Sequence, residues 1–198
     1  MSVDLAFFNR DAVSVAAELL GATLLVEGVG GVIVETEAYR RDDEASHSFR
    51  GQTPRNAAMF GAPGGVYVYR SYGIHWCVNI VCEPRSAVLI RALQPTHGIN
   101  AMMVRRGTAD QRRLCAGPGN LCQALNVNLD MNGASILSAP FALIAPALKP
   151  PLIACPRIGI SKAIDHPWRF VIAGSAYLSK PVPRFTASLR GHAQAPTH

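Results

Sequence analysis

The segment Val34–Tyr39, which reads VETEAY, concentrates groups that could do acid–base chemistry. In a β-strand alternate side chains point the same way, so Glu35, Glu37 and Tyr39 would project from one face. A carboxylate held in a pocket can act as a general base on a water molecule. The same alternation also fits the solvent-facing side of an amphipathic strand, where the carboxylates would have no special role. These residues alone leave both interpretations open.

The segment VYVYRSYG, residues 66–73, supplies three tyrosines. Tyr67 and Tyr69 would share one face of a strand, whereas Tyr72 directly precedes Gly73 and lies where a turn is expected. Tyrosine is common in strands, so a sheet with three aromatic residues explains the pattern without a function. An aromatic side chain exposed at a turn can instead be a wedge that enters a base stack.

Two polar residues interrupt apolar strands further along the chain. Asn79 is the single amide in WCVNIVC, and Arg91 is the single charge in VLIRALQP. A buried amide needs hydrogen-bond partners, so Asn79 is predicted to be a structural bridge or a specificity contact. A buried guanidinium needs a carboxylate or a phosphate, and Glu37 is the obvious candidate partner for Arg91.

A long polar loop, residues 40–65, separates the two groups of strands. Loops of this length inside a small domain usually have a function. This one brings His47, Arg50 and Arg55 between the two segments that carry tyrosines. A surface histidine without a function would look the same, so the loop by itself does not establish a site.

A sheet must position these segments, because strands are predicted on both sides of the loop. The pattern predicts strands over 22–27, 31–39, 66–72, 74–82, 87–93, 141–144, 157–160 and 169–173, and helices over 9–20, 96–105 and 119–126. Strands that follow one another without intervening helices favour antiparallel pairing. The prediction is an α+β fold: one domain over residues 1–180 with a curved, largely antiparallel sheet flanked by helices, and an extended or poorly ordered tail over 181–198.

Charge is distributed unevenly along the 198 residues. Residues 1–44 carry nine carboxylates against three arginines, and residues 45–198 carry sixteen basic residues against four carboxylates. All of the basic residues are arginines except Lys149, Lys162 and Lys180. Because a guanidinium binds phosphate oxygens in pairs, this composition favours a polyanionic partner such as nucleic acid. Scattered, solvated arginines would give the same balance.

Composition excludes several other classes of protein. With 49% hydrophobic and 16% charged residues, the chain is globular rather than disordered. No apolar stretch is long enough for a membrane span, and the first residues do not resemble a signal peptide, so we expect a cytoplasmic protein. The five cysteines form no Cys-x-x-Cys pair, so we expect reduced thiols and no metal site.

Together these segments resemble the alkyladenine (3-methyladenine) DNA glycosylase family. The resemblance extends from about residue 7 to about residue 179 and follows the family's order, although the loop between Tyr39 and His47 is slightly shorter. It rests on ETEAY at 35–39, His47, QTPRN at 52–56, MF at 59–60, PGGVYVYRSYG at 63–73, Asn79, VLIRALQP at 88–95, LCAGPGNLCQAL at 114–125 and RIGI at 157–160.

The resemblance implies a monofunctional enzyme that flips an alkylated or deaminated purine out of duplex DNA and hydrolyses its N-glycosidic bond. Glu37 would be the general base for the attacking water, which Arg91 and the backbone of Ile158 would help to hold. No metal or organic cofactor is implied. A hydrolase needs no amine nucleophile, and we expect the three lysines to lie outside the site. The implied partner is double-stranded DNA with a damaged purine, bound by a monomer.

The resemblance also implies which residues contact the damaged base. Tyr39 would stack on one face of the base, with His47 and Tyr69 on the other. Asn79 would lie near the minor-groove edge of the purine and disfavour a guanine that carries its 2-amino group.

The remaining implied contacts are with the duplex. Tyr72 would enter the stack where the nucleotide left, and Arg55 and Arg70 are assigned to backbone phosphates. A protein that binds damaged or distorted nucleic acid without cutting it would share these features. It would have no need for Glu37 together with Arg91, which distinguishes the two alternatives.

Overall fold

The computed structural model describes residues 3–183, so most of the predicted tail from residue 181 lies outside the described residues. Its strands are β1 Thr23–Val26, β2 Val29–Tyr39, β3 Val66–Ser71, β4 His75–Val81, β5 Ala87–His97, β6 Phe141–Ile144, β7 Leu152–Cys155 and β8 Arg169–Ile172. Its helices are α1 Leu5–Phe8, α2 Ala12–Glu18, α3 Ile99–Arg106, α4 Gln111–Leu114 and α5 Pro118–Leu125, with 3₁₀ turns at Ala57–Phe60 and Leu129–Met131.

The strands form one sheet in which every pairing is antiparallel. The order is β3-β4-β5-β2-β1-β6, and the β7–β8 pair joins the far end of β2 through β8. Strand β2 is therefore interior: β5 pairs along one side of it, while β1 and then β8 pair along the other. The predicted α+β fold with a curved, largely antiparallel sheet is confirmed.

Helix α2 covers one face of β2 and fixes which side chains face the core. The Thr36 hydroxyl donates to the carbonyl of Ala16 at 2.8 Å, and Ala38 is fully buried in the core. Because side chains alternate along a strand, Glu35, Glu37 and Tyr39 are directed to the opposite face. The sheet thereby separates an apolar core from a polar site.

A β-bulge lies where β2 meets β5. Glu35 pairs with Ala92 and Thr36 pairs with Ile90, so Arg91 is the extra residue between them. An extra residue bends its strand and redirects its side chain, and such bulges are common beside functional sites. Here the extra residue is the one charge in the apolar strand.

The predicted strand at 157–160 is wrong. The N–H of Ile158 donates to a Glu37 carboxylate oxygen instead of a neighbouring strand, and Gly159 has a φ of 75°, which breaks an extended run. The strand of this region is β7, which ends two residues earlier. Strand β7 begins directly after Pro151, and a proline is typical of loops and strand edges, so the sequence did not indicate a strand there.

Two helix boundaries also differ from the prediction. Helix α2 begins after Asp11, whose carboxylate caps its first turn, whereas Asn9 lies at the end of the short helix α1. Strand β5 continues to His97, so the next helix begins at Ile99 rather than at Thr96. No helix within residues 3–183 has the length and apolar character of a membrane span.

Candidate active site

A cavity of about 590 Å³ opens between β3, β4 and two loops. Its volume is within the range of sites that bind small molecules or single nucleobases. With the exception of Glu37, every predicted site residue lines it: Tyr39, His47, Arg55, Tyr69, Arg70, Tyr72, Asn79, Arg91 and Ile158. The structure therefore brings together residues that lie more than a hundred positions apart in the chain.

Glu37 lies directly behind the cavity wall and has no exposed surface. Its Oε1 accepts a hydrogen bond from the N–H of Ile158 at 2.8 Å. Its Oε2 accepts from the Tyr39 hydroxyl at 2.8 Å and from Arg91 Nη1 at 3.2 Å. Burial, and then the charge of Glu37, raises the pKa of Tyr39 well above its usual value, so this phenol remains a donor. All three donors belong to residues that line the cavity.

Glu35 is also fully buried, and it forms an ionic cluster with two arginines. Its Oε1 accepts from Arg91 Nε at 3.1 Å and from Arg169 Nε at 2.8 Å. Burial alone would lower the pKa of Arg91, but the charges of Glu37 and Glu35 raise it, so the guanidinium remains positive. The negative charges of Glu35 and Glu37 thus balance the positive charges of Arg91 and Arg169. The interpretation of VETEAY as a solvent-facing strand side is wrong.

Sequence reasoning did not identify Arg169 as part of this cluster. The available signal was the one that identified Arg91, because Arg169 is the single charge in the apolar strand RFVI. It is among the most completely buried side chains of the described residues.

Aromatic rings form the side of the cavity near β3. His47 Nδ1 and the Tyr67 hydroxyl are 3.0 Å apart, and the His47 ring meets the edge of Tyr69 with a centroid distance of 4.5 Å. Asn56, from the segment QTPRN, donates through Nδ2 to the carbonyl of His47 and holds the loop in place. Asn79 Nδ2 donates to the carbonyl of Tyr67 at 3.0 Å, so Asn79 is a structural bridge that also lines the cavity.

These rings are held in neutral forms. Burial, and then the charge of Arg55, lowers the pKa of His47, so its imidazole is uncharged at neutral pH. Burial raises the pKa of Tyr67 to about 12 and raises that of Tyr69 further. The cavity therefore offers electron-rich, uncharged ring surfaces.

The β3–β4 hairpin extends an apolar tip at the cavity mouth. Tyr72 is 83% exposed and Ile74 is 77% exposed. The loop between the paired residues Ser71 and His75 has three residues, with positive φ at Tyr72 (50°) and Gly73 (69°). The N–H of Ile74 donates to the carbonyl of Ser71 and closes the turn. The sequence analysis identified Tyr72 as an exposed residue of the turn but missed Ile74. Its position directly after Gly73, in the same turn, could have indicated its exposure.

The rim of the cavity is charged. Arg55 Nη2 donates to the carbonyl of Arg70 at 3.0 Å, and both arginines are exposed. Lys162 also lines the cavity and forms a 3.3 Å ion pair with Glu44. The expectation that all three lysines lie outside the site is therefore wrong, because the loop after β7 folds back over it.

The described residues contain no group of three or more histidine, cysteine, aspartate or glutamate side chains arranged to hold a metal ion. All five cysteines are buried and unpaired. The polar groups at the site include carboxylates, guanidiniums, phenols, the imidazoles of His47 and His75, the amide of Asn79 and the amine of Lys162.

Comparisons with known proteins agree with this arrangement. A family model described as methylpurine-DNA glycosylase matches residues 6–176. A protein of Rhodopseudomonas palustris strain HaA2 is 60% identical over 178 residues, which cover 88% of this chain and 89% of the relative. A protein of Rhizobium meliloti strain 1021 is 54% identical over 180 residues, covering 91% and 97%. Both relatives are named "Putative 3-methyladenine DNA glycosylase".

The family match covers all the residues of the cavity wall together with Glu35 and Glu37, and the alignment with the first relative covers 88% of the chain. By these criteria the protein belongs to the methylpurine-DNA glycosylase family.

Proposed function

We propose that the protein binds a damaged purine, flipped out of duplex DNA, in the 590 Å³ cavity and hydrolyses its N-glycosidic bond with a water activated by Glu37. Membership of the family makes the chain a DNA glycosylase for alkylated bases, and the names of its relatives refer to 3-methyladenine. The observation that carries the mechanism is a buried carboxylate bound by three wall residues of a cavity lined with aromatic rings.

The hydrogen bonds of Glu37 to the described residues leave one acceptor position unused, which a water molecule could take. A carboxylate offers about four acceptor positions, and the three donors use two on Oε2 and one on Oε1. A water that donates to the remaining position on Oε1 would lie beside Ile158, which lines the cavity. Glu37 would take its proton as the water attacks C1′, and the negative charge would stabilise an oxocarbenium-like transition state.

The cavity favours bases that carry a positive charge. Purines alkylated at N3 or N7 are cationic, and aromatic faces attract a cation by about 0.5–2 kcal/mol. The neutral His47 and the protonated Tyr69 provide such faces without repelling the base. A cationic purine also leaves as a neutral molecule, so the reaction does not need an acid to protonate the leaving group.

The exposed hairpin tip fits the opening of the duplex. Removing a base from the stack costs a few kcal/mol, and less for a weakened pair. Tyr72 and Ile74 would fill the space that the base leaves, since apolar side chains inserted between bases replace part of the lost stacking. Arg55 and Arg70 at the rim would bind backbone phosphates and offset the remaining cost.

The substitution Glu37→Gln tests the mechanism in a release assay on alkylated duplex DNA. We expect a loss of about 10²–10⁴-fold in excision, because this is the usual contribution of a general base. The matched control is Glu44→Gln, which removes an exposed carboxylate from the same cavity wall and should remain within a few-fold of wild type. Excision by Glu37→Gln at the wild-type rate would refute the mechanism.

Two further outcomes separate this proposal from its alternatives. A protein that only binds damaged nucleic acid would retain the lesion duplex but release no base even as wild type. A lyase that uses Lys162 would form a covalent adduct with the lesion duplex on borohydride reduction. We expect base release and no adduct, because the Lys162 amine is held at the rim in an ion pair with Glu44.

A further inference from the structure

The segment that follows β8 returns to the buried ionic cluster. Ser179 donates twice to Glu35, from its backbone N–H to Oε2 at 2.6 Å and from its hydroxyl to Oε1 at 2.7 Å. The next carbonyl, of Lys180, accepts from Arg169 Nη2 at 2.6 Å. The family model ends at residue 176, so these contacts come from outside the matched region.

These contacts hold both oxygens of Glu35. Its Oε1 receives Arg91 Nε, Arg169 Nε and the Ser179 hydroxyl, and its Oε2 receives the Ser179 N–H. Four donors from three residues on different parts of the chain restrain the rotation of the Glu35 carboxylate. Half of those donors belong to Ser179.

Arg91 contacts both glutamates, so the position of Glu35 affects the position of Glu37. Its guanidinium is planar, so holding one edge determines where the other nitrogens point. Arg91 Nε is held by Glu35 at 3.1 Å, and Nη2 lies 3.5 Å from the hydroxyl oxygen of Ser179, which accepts from it. The remaining nitrogen, Nη1, then meets Glu37 Oε2 at 3.2 Å.

We propose that Ser179 is a positioning residue for the reaction, acting through Glu35 and Arg91 on the carboxylate of Glu37. The inference rests on the proposed role of Glu37. In this proposal Ser179 touches neither the substrate nor the reacting water. Through Ser179, the segment after β8 helps to position the catalytic groups. Loss of its hydroxyl removes one donor from Glu35 and one acceptor from Arg91, so the guanidinium occupies a wider range of orientations.

The variant Ser179→Ala is tested by single-turnover excision from alkylated duplex DNA with the enzyme in excess. We expect the rate to fall by about 10- to 100-fold, because small misplacements of catalytic groups cost this much. Affinity for a duplex with a tetrahydrofuran abasic-site analogue should change by less than about twofold. A role in folding alone would not separate the rate from the affinity in this way.

Two matched variants complete the experiment. Ser175→Ala removes a hydroxyl from the same segment, where it accepts from the N–H of Tyr177, and should leave the rate unchanged. Ser179→Thr keeps the hydroxyl and should restore the rate to within about threefold of wild type. If Ser179→Ala does not fold, Ser179→Cys replaces it, because a thiol is a weak donor of similar size.

The outcomes distinguish this inference from the mechanism on which it rests. If Glu37→Gln is inactive but Ser179→Ala excises at the wild-type rate, the positioning role is overturned. Wild-type rates in both Ser179→Cys and Ser179→Thr would overturn it in the same way. A wild-type rate in Glu37→Gln would instead overturn the mechanism. Equal losses of rate and affinity in Ser179→Ala would assign the residue to folding.

Discussion

Glu35 and Glu37 lie two residues apart on the same strand and the same face, yet their surroundings differ. Glu35 accepts four hydrogen bonds, two of them from arginines, and none of its contacts comes from the aromatic side of the cavity. Glu37 accepts three, all from residues of the cavity wall, and one of its acceptor positions remains open. Burial is complete for both, so burial does not separate them.

The difference lies in which residues supply the hydrogen-bond donors. Arg169 and Ser179 bind Glu35 and do not line the cavity, whereas every donor to Glu37 belongs to a residue of the cavity wall. A buried carboxylate surrounded by cavity-wall residues can meet a reactant there, whereas one held by an ion pair away from the cavity can only order its neighbours. Arg91 contacts both carboxylates, so Glu35 can orient Arg91 towards Glu37.

The largest expected effect is on the Glu37 side of this comparison. Glu37→Gln should abolish most excision, by about 10²–10⁴-fold, while the folded protein remains able to bind lesion DNA. Thermal unfolding and affinity for the abasic-site analogue, measured on the same preparation, check that the fold is retained. If Glu37→Gln loses activity only because it unfolds, Glu37 has a structural role like that of Glu35, and the contrast between the two residues is wrong.

The second effect is on the Glu35 side. Glu35→Gln leaves Arg91 and Arg169 with one buried carboxylate between them, and breaking a buried ion pair in this way costs about 3–5 kcal/mol. We expect the free energy of unfolding in urea to fall by that amount, with excision reduced in the fraction that remains folded. If Glu35→Gln and Glu37→Gln have the same free energy of unfolding, the two carboxylates contribute equally to stability, which would contradict the contrast drawn here.

A smaller effect is expected at the hairpin tip, which lies outside the buried cluster. Tyr72→Ala should weaken excision from duplex DNA by about 10- to 100-fold, because one aromatic–base contact is worth about 1–3 kcal/mol. Stability should not change, since Tyr72 is 83% exposed. The same variant acting on single-stranded alkylated DNA is the control, and an equal loss there would exclude a role in opening the duplex.

The smallest effect concerns pH. Burial, and then Arg55, holds the pKa of His47 below its usual value of 6.5, so the ring is neutral at pH 7 and gains a proton only as the pH falls through that lowered value. A protonated ring would repel a cationic base. We expect the ratio of 7-methylguanine to hypoxanthine release to fall on acidification in wild type. In His47→Gln the ratio should stay constant, and an unchanged decline there would exclude the imidazole as its cause.

The sequence singled out residues that the structure brings to one cavity, because these residues are chemically conspicuous. A lone arginine or amide inside an apolar strand indicates a buried partner, and this reasoning found Arg91, Asn79 and their neighbourhood. It also paired Arg91 with Glu37, which the structure places 3.2 Å apart. The roles assigned to these residues in the reaction stay predictions until the variants above are measured.

The same reasoning failed where backbone conformation departs from regular alternation. RIGI was assigned to a strand because its apolar residues alternate, whereas the positive φ of Gly159 turns the chain so that an N–H points at Glu37. Lys162 was placed outside the site because it belongs to none of the motifs, although it follows RIGI by only two residues. Both errors concern one loop, whose conformation depends on what it packs against.

Residue type and order along the chain were enough to determine the fold class, the aromatic and acidic composition of the site and the family. Tertiary structure alone decided which glutamate is surrounded by residues of the cavity wall and where Arg91 points. Those properties depend on contacts between residues far apart in sequence: Arg91 and Glu35 are separated by 56 positions, and Ser179 and Glu35 by 144. Local periodicity carries no information about such pairs, because the bulge and the returning segment exist only once the sheet has formed.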